Sequence, residues 1–352
     1  FYSDANPGSD NTVFGDDFAD FGGGDRFASL VVPAGSSVRL VLQWNQPFSG
    51  SLGSGSAVDL NLLLLSDADP SSTLLASGTT LQGCSDALSF GDPYEYITYQ
   101  NTTGSDQTVH VAVDHDCGSE DAFFRIVPFG SGTDFESDIF NDYSTFGHAA
   151  AVGARAVAAV DYREIDAGGS FSGGSEINVE SFSSLGGNIP FYFDEDGDPL
   201  PGAPVTRFKP EIAAPDRTNT TFFWPGYDPD GDGFPNFSGT SAAAPHAAAV
   251  AVLVLAENPA LSPAQVSAVL QNTAIDIEGS GVDALSGHGL IDARDAVAEA
   301  SSIDLIAPTW PPGSAVTITD VTDTSGSASW NAASDNHAVT DYRVYLDGSL
   351  WA

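Results

Sequence analysis

Apolar residues in the first third of the chain recur at every second position. Val38, Leu40, Leu42 and Trp44 share one face of a predicted strand, and Val58, Leu60, Leu62 and Leu64 share one face of the next. Tyr94 to Tyr99, Val109 to Val113 and Phe123 to Val127 continue the series between clusters of Gly, Asp, Ser and Pro. Six or seven such strands predict a β-sandwich of jelly-roll type over residues 1–130. From about residue 134 the pattern shifts to alternating strands and helices, which predicts an α/β arrangement with a parallel sheet and helices on both faces. Gly153 to Tyr162 is a small-residue, valine-bearing run suited to a strand buried on both sides. Ala247 to Ala256 predicts an apolar helix shorter than the roughly 20 residues a bilayer needs, hence a helix in a soluble core. Ser262-Pro263-Ala264-Gln265 reads as a capping box with proline at the first helical position, and Val266, Val269 and Leu270 form the apolar face behind it. Pro308, Pro311, Pro312 and Gly313 form a stiff linker, after which Ala315 to Ile318, Ala328 to Trp330 and Tyr342 to Tyr345 alternate again as strands.

Charge narrows the class of partner. The 352 residues carry 48 Asp and Glu against 10 Lys and Arg, a net charge of −38, and Lys209 is the sole lysine. Nucleic acid and anionic membranes are repelled by such a surface and are excluded as partners. Two origins fit it: a protein working in high salt, where counterions screen the self-repulsion, or a moderately acidic secreted protein. Cys84 and Cys117 are the only cysteines and lack metal-ligand spacing, so one disulfide in an exported protein is expected. The early acidic cluster Asp16, Asp17, Asp20 and Asp25 is expected to be a solvated loop, with Ca²⁺ as the alternative.

The candidate chemistry centres on Gly239-Thr240-Ser241-Ala242-Ala243-Ala244-Pro245-His246. A serine where a loop becomes a helix exposes its hydroxyl while its own N–H points outward unpaired. His246 is five residues on, a rotation of about 140° and a rise of about 7.5 Å, so its ring leaves on another face. It is read as a structural histidine. A second candidate lies just upstream: Asp228, Asp230, Asp232, Gly233 and Asn236 follow the spacing of a calcium loop, but Gly239 stands where a bidentate Glu is expected. A weak structural Ca²⁺ site and an acidic β-turn are the two readings; no cofactor is expected for the chemistry itself.

The string from Gly239 to His246 resembles the active-site serine segment of subtilisin-like serine proteases. Further landmarks resemble that family in the same order: the Gly153 to Tyr162 strand, Phe182-Ser183-Ser184 with Gly186, Lys209-Pro210-Glu211-Ile212 with Ala214-Pro215, and Gly287-His288-Gly289-Leu290 with Asp292-Ala293. The resemblance implies a secreted serine endopeptidase acting on protein or peptide substrates, with Ser241 as nucleophile, its backbone N–H as an oxyanion donor and Thr240 beside that hole. Ala249 departs from the family's usual Gly. The family's order of Asp, His, oxyanion Asn and then Ser is not met upstream of Ser241, because no Asp-Thr-Gly, His-Gly-Thr or Ala-Gly-Asn segment occurs. His110, His115 and His148 lack the family's context. These residues are therefore expected to be the family's C-terminal half (131–304), with an inserted β-sandwich before it (1–130) and a linker with a truncated fibronectin type III module after it (305–352). On this expectation the segment alone is inactive. The rival reading is a catalytically dead secreted protein that binds polysaccharide or protein through its β-sandwich modules.

Overall fold

The computed structural model describes residues 18–21, 24–50, 54–82, 91–118, 122–130, 135, 143–164, 177–202, 204–223, 226–336 and 338–350. The chain divides into two compact units, residues 1–154 with 184–209, and residues 155–183 with 210–352.

The first unit begins with seven strands: β1 (Ala28–Val32), β2 (Ser37–Trp44), β3 (Asp59–Leu65), β4 (Leu74–Gly78), β5 (Tyr94–Gln100), β6 (Gln107–Cys117) and β7 (Phe124–Phe129). They form two antiparallel sheets, β1-β6-β3-β4 and β5-β2-β7. The inner faces of both sheets share one core, in which Leu30, Leu40, Leu42, Leu60, Leu62, Leu64 and Val111 are fully buried. Strand β2 follows its predicted alternation: Val38, Leu40, Leu42 and Trp44 point inward while Ser37, Arg39 and Gln43 are exposed. The Trp44 indole N–H keeps a partner in the core by donating to Ser56 Oγ at 2.8 Å. Strand β3 keeps its predicted face, with Val58, Leu60, Leu62 and Leu64 in that same core, and all seven of its residues are buried. Leu63 and Leu65 pack on its second face with Phe18 and Ala112, so that face is covered rather than solvated.

Carboxylates are also buried here. Glu95 Oε1 accepts from the Thr80 N–H at 2.5 Å and from Gln82 Nε2 at 2.8 Å. Asp59, at an irregularity between β3 and β6, has its carboxyl pushed up to about 7, chiefly by burial and further by Asp116, Glu95 and Asp114. Cys117 closes β6 and is disulfide-bonded; Cys84 lies outside the described residues. Of the early acidic cluster, Asp20 accepts from Gly24 N–H and Asp25 from Phe27 N–H, so both shape a loop; Asp16 and Asp17 lie outside the described residues.

The chain then passes through β8 (Val157–Asp161) and a hairpin of β9 (Gly187–Phe191) and β10 (Val205–Lys209), the hairpin belonging to the first unit. The strand-helix alternation expected from residue 134 does not hold here. A tight return, in which Asp194 N–H donates to Asp198 O, lets two neighbouring strands pair antiparallel without a crossover helix. The Arg207 guanidinium lies 3.8 Å from the Phe191 ring centre. Lys209 is buried, its ammonium donating to the carbonyls of Ala151 and Ala154 at 3.2 and 2.9 Å.

In the second unit β8 pairs in parallel with β11 (Ile212–Asp216), and a short pair, β12 (Thr218–Asn219) with β13 (Asn236–Phe237), follows. Three helices come next, α1 (Thr240–Glu257), α2 (Pro263–Asn272) and α3 (Ala293–Ser302). Ser262 and Gln265 form the predicted reciprocal capping box on α2, with Pro263 at its first position. Among the described residues, helices cover one face of the parallel strands. Ala159, Ile212 and Ala214 pack against the three helices. The alternate residues Ala158, Val160 and Ala213 pack instead against Ile177, Ile277 and Leu290, none of them helical. The predicted glycine turn is sterically required at Gly289: its φ is +111°, and a Cβ there would lie 2.1 Å from the Ile275 carbonyl oxygen. Beyond Ala300 no described residue is buried. The tail forms two short hairpins, β14 (Thr317–Thr319) with β15 (Ser327–Ser329) and β16 (Tyr345–Leu346) with β17 (Ser349–Leu350), and the Tyr342 ring meets Trp310 and Trp330 at 5.7 and 5.6 Å.

Candidate active site

Ser241 is the second residue of α1 and is exposed. The helix begins where the serine segment is expected to turn from loop to helix: Gly239 takes a φ of 114° and turns the chain sharply out of β13 and into the helix. No side chain caps this end, so α1 presents first-turn N–H groups to whatever approaches Ser241. Thr240, the first helical residue, is half-buried beside it. Pro245 lacks the N–H that would bond to the carbonyl four residues back, which is that of Ser241. Only one stripe of α1 is buried, Ala242, Ala243, Ala247, Val250 and Val254, whereas Val252 and Leu253 are 63% and 51% exposed. The expected fully buried core helix is thus buried along a single side. By length and composition alone α1 is long and apolar enough to cross a membrane; its buried stripe packs against β8, β11, α2 and α3.

The loop before Ser241 is held by a residue that sequence reasoning missed. Asp216, at the end of β11, is fully buried, and its Oδ2 accepts the Gly239 N–H at 2.8 Å across 23 residues of chain. Burial raises the Asp216 pKa, and the hydrogen bond from Gly239 opposes that rise. Its position directly after the Ala214-Pro215 landmark was the available signal. Next to it Arg217, at a left-handed φ of 56°, pairs with Glu180 at 2.6 Å and Asp161 at 3.7 Å.

His246 is engaged as its helical position predicts. A carbonyl can only accept, so the 2.7 Å contact between Nδ1 and Ala242 O makes Nδ1 the protonated nitrogen. Nε2 then faces the Thr218 hydroxyl at 3.4 Å. Among the described residues nothing hydrogen-bonds the Ser241 hydroxyl.

Asp228, Asp230 and Asp232 come together: carboxylate oxygens of all three lie within 4.8 Å of one another. Asp228 receives the N–H groups of Gly231, Asp232 and Gly233 at 2.8, 3.2 and 2.9 Å, which curls the loop around it. Tyr162 donates to Asp230 Oδ2 at 2.7 Å, drawing that carboxyl down to about 2 while the phenol rises to about 12. Asn236 is buried, and its Nδ2 faces Arg217 O, Asn219 Oδ1 and Asp230 Oδ2 at 2.8, 2.9 and 3.0 Å. It therefore presents a donor to Asp230 and braces the loop against β12, while its buried Oδ1 has no hydrogen-bond partner among the described residues; the three carboxylates offer a cation oxygen ligands. Tyr162 was likewise missed by sequence reasoning.

Known proteins resemble parts of this chain. An extracellular serine protease of Serratia marcescens is 45% identical over 65 residues, 18% of this chain and 6% of that protein. Subtilisin-like protease SBT2.5 of Arabidopsis thaliana is 34% identical over 115 residues, 30% of this chain and 13% of that protein. Alkaline elastase YaB of Bacillus sp. (strain YaB) is 42% identical over 66 residues, 19% and 17% of the two chains. The chain thus spans no more than about a sixth of these relatives. Among solved structures, the CspB protease of Clostridium perfringens covers 77% of this chain and 54% of its own at 13% identity, with a TM-score of 0.42, too loose to carry weight. The Subtilase family (Peptidase S8) matches residues 88–289, starting inside the predicted β-rich region and taking in the Ser241 helix; with more than half of its 352 residues so matched, the chain belongs to the subtilase family.

Proposed function

We propose that the protein containing this chain is a secreted serine endopeptidase that cleaves peptide bonds through an acyl-enzyme on Ser241. The observation that carries the reading is an exposed serine at the uncapped N-terminus of α1, inside the subtilase match. In that role Ser241 Oγ attacks the scissile carbonyl carbon as a base takes its proton, and backbone N–H groups at the helix start receive the oxyanion. Collapse of the tetrahedral adduct breaks the C–N bond, with the proton passed to the departing amine. Water then releases the ester and regenerates the hydroxyl. Thr240 lines the oxyanion side.

The base, its carboxylate and the oxyanion Asn are supplied by subtilase chain other than these 352 residues. Two observations support this. His246 is committed to Ala242 and Thr218. A helix apolar on all sides belongs in an interior, yet Val252, Leu253 and Leu255 of α1 face outward. In the same reading residues 1–130 are a jelly-roll sandwich inserted into the peptidase, 131–304 its C-terminal half, and 305–352 a linker with part of a fibronectin type III module. Cys117 pairs with Cys84, and Asp228, Asp230 and Asp232 hold a structural Ca²⁺ that braces the loop into Ser241. A second reading, a secreted binding protein without catalysis, draws on the unengaged Ser241 hydroxyl.

A fluorophosphonate probe decides between them. It labels Ser241 in the full-length protein, loses that label on Ser241→Ala, and leaves the 352-residue chain unlabelled, since loss of the base costs about 10⁶-fold in subtilase turnover. Full-length protein that is folded and unlabelled hands the case to the binding reading.

A further inference from the structure

The first unit contains a cleft of about 420 Å³, within the roughly 300–1,000 Å³ of small-ligand sites. Its walls come from the end of β2, the start of β7, residues 143–150 and strand β9 with the two residues after it. Of the eighteen described residues that line it, nine are aromatic and none is acidic, in a chain with 48 acidic side chains. Among those described residues the one charged group is Arg125.

Arg125 is half-buried. Its guanidinium carbon lies 4.8 Å from the Phe146 ring centre and 5.8 Å from that of Tyr143. Such contacts hold a guanidinium by its face and leave the in-plane N–H donors free for a ligand. Arg155, Arg163, Arg217 and Arg294 each meet a carboxylate, but among the described residues Arg125 meets none and its side chain donates no hydrogen bond. Burial pulls its pKa below the usual range, as happens when desolvation has no counter-charge to offset it. A partly desolvated cation costs free energy unless something anionic completes it.

We propose that this cleft binds the free C-terminal carboxylate of a peptide ending in an aromatic or large apolar residue. The carboxylate accepts two parallel N–H bonds from the Arg125 fork, and the terminal side chain packs between Phe146 and Tyr192. Polyanions and doubly charged phosphate or sulfate are disfavoured by the net charge of −38. Neutral sugars stack on aromatic rings but leave the guanidinium uncompensated. Nothing in this binding requires chemistry at Ser241.

The test is calorimetric titration of N-acetyl-phenylalanine and N-acetyl-phenylalaninamide into the full-length protein carrying Ser241→Ala, so that its outcome is independent of catalysis. The acid binds about tenfold to about a hundredfold more tightly than the amide, the range for a hydrogen-bonded charge. Arg125→Gln lowers the acid to the affinity of the amide and leaves the amide unchanged, which also reports an intact cleft; Arg125→Lys, keeping charge without the fork, falls between. Three results overturn the proposal: equal affinities for acid and amide, binding of neither, or binding of a neutral hexasaccharide with an affinity indifferent to Arg125→Gln. Should Arg125→Gln lose both ligands by collapse of the cleft, the acid-to-amide ratio in the unsubstituted cleft decides alone.

Discussion

The two units bury apolar surface in opposite ways. In the first, β2 alternates, so each apolar residue has an inside to face, and two sheets close on one core. In the second, α1 is apolar around its whole circumference, yet the described chain covers one stripe and leaves Val252, Leu253 and Leu255 at 63%, 51% and 38% exposure. Amphipathic pattern and burial agree in the first unit because the period-2 repeat encodes both. They part in the second because an all-apolar helix encodes burial without a direction.

The largest expected effect contrasts leucines from the two units. Leu62 is fully buried, so Leu62→Ala costs about 2–5 kcal/mol, whereas Leu253→Ala, at an exposed site, stays within about 0.5 kcal/mol. Denaturant melts of both variants check this, and equal costs would break the comparison.

Next in size is Asp59. Its carboxyl titrates at about 7 in the folded chain against an ordinary 3.8, so between those values the folded chain holds a proton that the unfolded chain has released. Stability is therefore complete below about pH 4 and falls as pH rises through 7, by up to about 4 kcal/mol. The carboxylates that face it, Asp116, Glu95 and Asp114, add repulsion in the same direction. Asp59→Asn flattens this fall and leaves the variant more stable than the parent at pH 8; parallel pH profiles for the two would sink the assignment.

The smallest effect sharpens the contrast from the other side. Ca²⁺ at a hundred times its dissociation constant stabilises a bound fold by about 2.7 kcal/mol. It should raise the melting midpoint of the unit holding Ser241 and leave the other unchanged. Asp230→Ala with Asp232→Ala should abolish the shift, and an undiminished shift in that variant would exclude the three-carboxylate site.

Local chemistry made much of this protein legible in advance. The β2 face, the Ser262-Gln265 capping box, the helix opening at Thr240 and Ser241, and the turning of His246 back onto Ala242 all follow from spacings of five residues or fewer along regular backbone. The expectations that failed depended on what lies across the fold. Among the described residues, helices cover one face of β8 and β11, and residues 187–209 return as a hairpin. Neither of these is encoded within a single turn or strand. Asp216 reaches the Ser241 loop across 23 residues, and Arg125 meets Phe146 and Tyr143 from a different stretch of chain. Periodicity and capping act over one or two turns of backbone, so the sequence by itself determined the elements and the candidate nucleophile. Desolvation and the pairing of distant charges exist only once the chain has closed, so only the tertiary structure decided which carboxyl is buried, which arginine lies against aromatic rings and which face of α1 is covered.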